Sequence, residues 1–342
     1  MSLGNLSETT VIRIACVGGF GHAISVFDEL TFTAVAGSVG IAPAYAGEDT
    51  DGFSSHPWMR EAPVFPSLEA MLEEKRPDVL VVSTRPDRIA SCALAGLAAG
   101  CHLIVEKPIA LDLGTLQSVH AAARNAKRQV MAMLSMRSLP AFIAAREAVR
   151  GGRIGKPVLV NTRKSYKWGK RAAWFNDRSK YGGTWPWIGI HNLDMAYFVT
   201  GLRALRVVAA HANAAHPDFP ECEDAGTAVF SLENGVQMTA SVDLCRPGNA
   251  ATWGDDWIRV VGSMGVIEAN GSTGHVTILA ENGEKLEAGT APVPIYLDFL
   301  RSLHDPSDDS DSFQLTAAAL AARESADSGG PIPINPALWN KR

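Results

Sequence analysis

The chain is poor in several features that would point to other kinds of protein. Cysteine is sparse, five in 342 residues. Cys16, Cys92, Cys101, Cys222 and Cys245 form no CxxC pair and leave one over, so the expected state is buried thiols in a reducing cytoplasm, with no disulfide framework and no metal. There is no cationic excess either: 31 Lys and Arg against 36 Asp and Glu give a formal net charge of −5. The cations are dispersed apart from one short cluster, which argues against the broad basic face of a nucleic-acid binder. Long hydrophobic runs are missing. One long uncharged stretch lies between Arg88 and Glu106, contains Ser91, Gly96, Gly100 and His102, and falls short of the ~20 apolar residues of a membrane span. Residues 1–10 are polar and do not read as a secretory leader, so a cytoplasmic protein is expected.

What is present is enough to build a core, with 46% hydrophobic and 20% charged residues. The length suggests two domains of roughly 100–200 residues each. From 11 to 135, short apolar runs alternate with helical stretches, the pattern of βαβ units on a parallel sheet. Strands are expected at Val11–Val17, Thr33–Ser38, Asp78–Thr84, His102–Glu106 and Gln129–Ser135. Helices are expected from about His22, from Ser67 as a cap to Arg76-Pro77, over 87–99 and over 113–126. Beyond 135 come helices near 139–150 and 188–200, a strand over Pro157–Tyr166 and then mostly strands. Asn234-Gly235 and Asn282-Gly283 each mark a hairpin with a primed turn. Asp305–Ser312 is acidic and serine-rich and reads as a surface loop.

Gly18-Gly19-Phe20-Gly21-His22-Ala23 falls where the first strand passes into a helix. Glycines there let the backbone approach a diphosphate, and the helix end supplies free N–H groups. Read from Gly18 the motif is G-x-F-x-x-A; read from Gly19 it is G-x-G-x-x-I. The fingerprint is imperfect in both registers.

Ala99-Gly100-Cys101-His102 leading into Val105-Glu106-Lys107-Pro108 resembles the E-K-P motif of the Gfo/Idh/MocA family of nicotinamide-dependent oxidoreductases. Ser83-Thr84-Arg85-Pro86-Asp87 looks like that family's preceding loop. Gly182-Gly183 through His191 to Asp194 is similar to its G-G-x-x-x-D-x-G-x-H-x-x-D segment, and Ser325–Gly330 to its closing turn. The resemblance covers most of the chain in order. It implies an α/β protein with an N-terminal Rossmann dinucleotide-binding domain over 10–135. A C-terminal α+β domain, with a largely antiparallel open sheet for substrate binding and oligomerisation, would span 136–342. It also implies NAD or NADP as cofactor, a sugar, inositol or related polyol as substrate, and a homodimer or homotetramer.

Carried across, Lys107 and His191 are the catalytic residues. A base must take the hydroxyl proton as hydride leaves, and an ammonium beside the same oxygen stabilises developing charge. The cofactor would meet Gly18, Gly19, Phe20, Gly21, His22, Ser38, Ser83, Thr84, Pro86, Glu106 and Lys107. Two departures stand out. Trp187 occupies the place of the family aspartate four residues before the histidine. The second strand is expected to end at Ala36-Gly37-Ser38-Val39, which offers neither the acid typical of NAD enzymes nor the arginine typical of NADP enzymes.

The cluster Arg163–Arg171 holds five cations and no acid, suited to a carboxylate, phosphate or polyhydroxylated ligand as much as to a solvated face. Strand alternation sends Arg163, Ser165 and Lys167 one way and Lys164 and Tyr166 the other. Lys164, Tyr166, Lys167, Trp185, Trp187, His191 and Asp194 are taken as substrate contacts. Asp194 has two readings, orienting His191 or tying its helix to a neighbour, and Arg137 resembles a recurrent family arginine. Two other functions remain open: nicotinamide-assisted glycoside cleavage without net redox, and a non-catalytic sensor or scaffold.

Overall fold

The structure is a computed structural model that describes residues 11–280, 283–287, 292–303 and 310–339. Two compact units emerge. One comprises Met1–Glu106, Gln117–Met133 and Tyr296–Asp309; the other comprises Lys107–Leu116, Leu134–Ile295 and Ser310–Arg342.

The first unit is a five-stranded parallel sheet of β1 (Ile12–Val17), β2 (Ala36–Ala42), β3 (Val79–Val82), β4 (His102–Val105) and β5 (Val130–Ala132), in the order β2-β1-β3-β4-β5. The Val79–Val82 strand is wholly buried, as a strand covered on both faces must be. The intervening helices are α1 (Ala23–Leu30), α2 (Asp51–Ser54), α3 (Leu68–Lys75), α4 (Pro86–Ala98) and α5 (Leu113–Ala126). Ser67 caps α3 by accepting from the Ala70 amide at 3.3 Å, and Pro86 opens α4, where a missing N–H costs nothing. The chain goes from β1 outward to β2 and returns to β3 on the other side of β1. The switch point, where α/β sheets bind ligands, therefore lies between the carboxyl ends of β1 and β3.

One boundary differs from expectation. The second strand is not Thr33–Ser38 but Ala36–Ala42, so Ser38 lies mid-strand, paired with Ile14. Gly37 and Gly40 hide the extension, since they carry no apolar side chain. Gly40 is tolerated because the Phe65 ring packs where its Cβ would be.

The second unit contains α6 (Pro140–Arg150), β6 (Pro157–Lys167), α7 (Arg178–Tyr181) and α8 (Ile190–Thr200). Then come β7 (Ala204–Ala212), β8 (Ala225–Leu232), β9 (Gln237–Arg246), β10 (Gly254–Gly262), β11 (Gly265–Asn270), β12 (His275–Ala280) and β13 (Gly283–Glu287). Last are α9 (Ile295–Ser302), which passes into the first unit, α10 (Ser310–Ser328) and β14 (Ile332–Pro333). The nine strands run β13-β12-β11-β10-β6-β9-β8-β7-β14, and only β6–β9 is parallel.

The turn between β8 and β9 has positive φ at Asn234 and Gly235, as a primed turn requires. β12 and β13 pair antiparallel, while Glu281 and Asn282 between them lie outside the described residues. Positions 305–309 of the expected acidic loop also lie outside. Ser310, Asp311 and Ser312 instead begin α10. That helix has no simple amphipathic stripe because Phe313, Leu315 and Ala317–Ala322 are all buried, so no 3.6-residue polar period marks it.

Candidate active site

In the first unit the site is built from backbone. Gly18 and Gly21 have φ of 105° and 118°, a region open to glycine. A Cβ at Gly18 would overlap the Ser83 carbonyl, and one at Gly19 the Asp49 carbonyl. At Gly21 it would lie 2.5 Å from a Glu106 carboxylate oxygen. The turn is pinned from both sides. The Phe20 amide donates to the Ser83 carbonyl, the Ser83 hydroxyl donates to the Phe20 carbonyl at 3.0 Å, and the Ala23 amide donates to the Ser83 hydroxyl at 3.2 Å.

Glu106, fully buried at the end of β4, accepts from the His22 amide and contacts His22 Nδ1, both at 2.7 Å. The Gly19 and Gly21 amides have no hydrogen-bond acceptor among the described residues. Two free amides in a turn that excludes side chains, at the start of α1, fit the diphosphate of a dinucleotide. Thr84 is buried beside Gly18, and Pro86 begins α4.

Ser38 is a correction. It stands four residues before the end of β2, and its hydroxyl donates to the Trp58 carbonyl at 2.8 Å. It is therefore not the residue at the strand tip that would meet a ribose.

In the second unit the site is made of side chains. Lys107 is 2% exposed. Its ammonium donates to the Trp187 carbonyl at 2.8 Å and stands 3.7 Å from the centroid of the Trp187 ring. The π face thus supplies some of the negative potential a carboxylate would have given. Trp187 lies in a π-helical turn, Trp185–Gly189, that runs straight into α8; such turns recur at functional sites. His191 is 3% exposed on the first turn of α8. Lys107 therefore meets this segment one turn before the histidine.

Phe175 and Tyr181 pack edge-on against Trp187, at 5.9 and 6.4 Å between centroids. The Tyr181 hydroxyl bonds Thr184 Oγ1 at 2.7 Å, and burial pushes its pKa well above the usual phenol range.

The other substrate candidates divide. Trp185 is fully buried, packed on Gly189 and Gly226 and edge-on to Phe230, so it is a core residue and not a substrate contact. Asp194 is also fully buried and accepts from Arg137 Nε at 2.7 Å. Of its two readings the helix-tying one holds. Burial pushes its carboxyl up, with Arg137 opposing, and Arg137 also contacts Asp311 at 3.3 Å.

On β6, Lys164 is buried while Arg163 and Ser165 are only partly so, as alternation requires. The Lys164 ammonium lies 2.5 Å from Asp256 and 4.4 Å from the Tyr166 ring. Burial alone would lower its pKa, but Tyr166 and Asp256 more than offset that and raise it. Its charge is thus already matched within the protein. The run continues past a register break between Ser165 and Lys167, and the Lys167 ammonium donates to the Ala250 carbonyl at 2.6 Å. That contact ties down a loop and spends Lys167 on structure.

One contributor escaped the sequence reading. Arg323 on α10 donates to the Leu111 carbonyl and the Gly182 carbonyl, each at 2.7 Å. It thereby braces the segment that follows Lys107 against the segment that precedes His191. Burial lowers its pKa from the usual guanidinium value. No pattern marks α10 as a helix, and so none marks Arg323.

Comparison with known proteins agrees with this geometry. Residues 56–134 match the model described as the oxidoreductase family, NAD-binding Rossmann fold, and residues 142–268 match the GFO/IDH/MocA C-terminal domain. A provisionally named oxidoreductase structure from Thermotoga maritima is 31% identical, with a TM-score of 0.89, over 94% of this chain and 100% of that one. Inositol 2-dehydrogenase of Rhizobium meliloti (strain 1021) is 28% identical over 56% of this chain and 57% of that protein. D-glucoside 3-dehydrogenase of Escherichia coli (strain K12) is 31% identical over 44% of this chain and 43% of that protein. The chain thus spans about half the length of these curated relatives. Among the described residues no helix is long and apolar enough to cross a membrane. The chain belongs to the GFO/IDH/MocA oxidoreductase family.

Proposed function

We propose that this protein is a nicotinamide-dependent oxidoreductase acting on a CH–OH carbon of a sugar, inositol or related polyol. The observation that carries the reading is the fixing of the buried Lys107 ammonium on the turn that leads into His191. A bound nicotinamide supplies the hydride acceptor or donor. The protein's part is to handle the proton and the charge on the substrate oxygen. His191 takes the hydroxyl proton during oxidation and returns it during reduction, a role suited to an imidazole near neutral pH. Lys107 stabilises negative charge as it develops on that oxygen. Trp187 holds the lysine in place of the family carboxylate, and Tyr166 and the edge of Trp187 are the remaining candidates for substrate contact.

The substrate class is supported by the names of two relatives, an inositol and a glucoside dehydrogenase. Association of copies through the open face of the nine-stranded sheet is supported by Val208 and Val229, each about half exposed there.

The test is a panel of polyols, sugars and sugar acids incubated with the protein and oxidised cofactor, following formation of the reduced nicotinamide. Stoichiometric reduction with one compound supports the reading. No reduction with any of them, by protein that binds the cofactor, overturns it. His191→Ala should flatten the pH dependence of the rate near neutrality, and survival of that dependence removes His191 as the base.

A further inference from the structure

The second strand ends without an acid, yet a carboxylate stands beside its tip, delivered by the loop that follows. We propose that Glu48 is the residue that recognises the adenosine ribose, and that it makes the protein select NAD over NADP. The inference rests on the nicotinamide-binding reading above and deepens it.

β2 ends at Ala42, whose carbonyl accepts from the Gly18 amide at 2.9 Å, so the tip of β2 abuts the glycine turn. The loop then folds back. The Glu48 amide donates to the Tyr45 carbonyl, one Glu48 carboxylate oxygen accepts from the Ala44 amide at 2.7 Å, and the other accepts from the Thr84 hydroxyl at 2.5 Å. Ala44 is two residues past β2. Thr84 is two residues past β3 and packs against Gly18. The carboxylate is thereby held at the switch point, between the ends of β1, β2 and β3, on the β2 side of the turn whose free amides suit the diphosphate.

A carboxylate accepts about four hydrogen bonds. Glu48 uses two, which leaves acceptor capacity for a ribose diol. Its charge reaches the neighbouring groups: after burial it is the next largest cause that pushes the Cys92 thiol up to about 12.

The cations nearby are held chiefly by Asp87, although Arg85 also feels the Glu48 charge. Arg85 is tied to Asp87 by two bonds, at 2.5 and 3.0 Å, and Arg88 lies 3.3 Å from the same carboxylate. The Arg85 guanidinium also lies 4.5 Å from the Tyr45 ring centroid. Among the described residues no Lys or Arg pairs with Glu48. A 2′-phosphate would meet the Glu48 carboxylate directly, and like charges at such a site discriminate by repulsion.

The experiment is a direct titration of the whole protein with NADH and with NADPH, read by energy transfer from its tryptophans and requiring no turnover. NADH should bind roughly tenfold to a hundredfold more tightly than NADPH, the size expected for one charged hydrogen bond. Glu48→Gln should close that gap, by weakening NADH and strengthening NADPH. Glu48→Asp, which keeps the charge but shortens its reach, should weaken NADH and still exclude NADPH. Equal affinities in the unaltered protein, or an unchanged ratio in Glu48→Gln, overturn the assignment of Glu48 and leave the oxidoreductase reading intact. If Glu48→Gln does not fold, a Glu48→Asp protein that binds NADPH as tightly as NADH overturns it instead. Failure of the unaltered protein to bind either nucleotide overturns the oxidoreductase reading itself.

Discussion

The candidate sites of the two units are made from different materials. In the first unit the work is done by main chain: amides of a glycine turn, carbonyls that lock it and a helix end. In the second unit it is done by buried side chains, an ammonium on an indole face and an imidazole on a helix. The difference teaches where tolerance should lie. A backbone site fails when a Cβ is added, because atoms collide. A side-chain site fails when a functional group is removed, while the fold survives.

Lys107→Met sharpens that comparison most. It should lower turnover by about a hundredfold to ten-thousandfold and leave NADH affinity unchanged; a matching loss of NADH binding would break the division of labour. Gly19→Ala is the counterpart in the first unit. Its Cβ would overlap the Asp49 carbonyl, so it should cost about 1–3 kcal/mol of stability and weaken NADH, as read by thermal unfolding and the same titration.

Arg323→Met tests whether a residue remote from the chemistry positions it. It should reduce kcat by about tenfold with little change in KM, while Arg323→Lys recovers part of the loss. An equal fall in stability with kcat intact would reduce Arg323 to a packing role.

The smallest effect is pH-dependent. Asp224 is fully buried, and burial works to raise its pKa. The Ala214 and Ala215 amides and the His216 ring more than offset this, so its pKa lies below the ordinary carboxylate value. The unfolded chain therefore takes up a proton near pH ~4, before the folded one does. The stabilisation is present above that pH and fades as pH falls through the folded value. Asp224→Asn should cost about 1–2 kcal/mol near neutrality, a difference that narrows in acid. A difference independent of pH would contradict the assignment.

Much of the fold was legible because its signals are local. Strand and helix alternation reads directly in the chain, and so do Ser67 as a cap and Asn234-Gly235 as a turn. What was missed is non-local. β2 runs past Ser38, and its second half, Val39-Gly40-Ile41-Ala42, breaks the apolar run with a glycine that carries no side chain to mark it. α10 carries no period in the sequence because it is buried on nearly every side, and Arg323 lies on it. Lys107 and His191 are candidates through resemblance to the family's motifs and their spacing alone. That spacing did not show that Trp187 would replace a carboxylate by its ring and its carbonyl, or that Lys164, Lys167 and Asp194 would be spent on Asp256, Ala250 and Arg137. A ribose acid is expected at the strand end, whereas Glu48 comes six residues past Ala42 on a loop that doubles back.

The most direct test of the central claim is transfer of deuterium from a substrate labelled at its carbinol carbon. The account predicts that the unaltered protein moves the label to the nicotinamide ring, and that Lys107→Met binds NADH equally well but transfers label at least about a hundredfold more slowly. Label that stays on the substrate, or transfer at the unaltered rate by Lys107→Met, would contradict it.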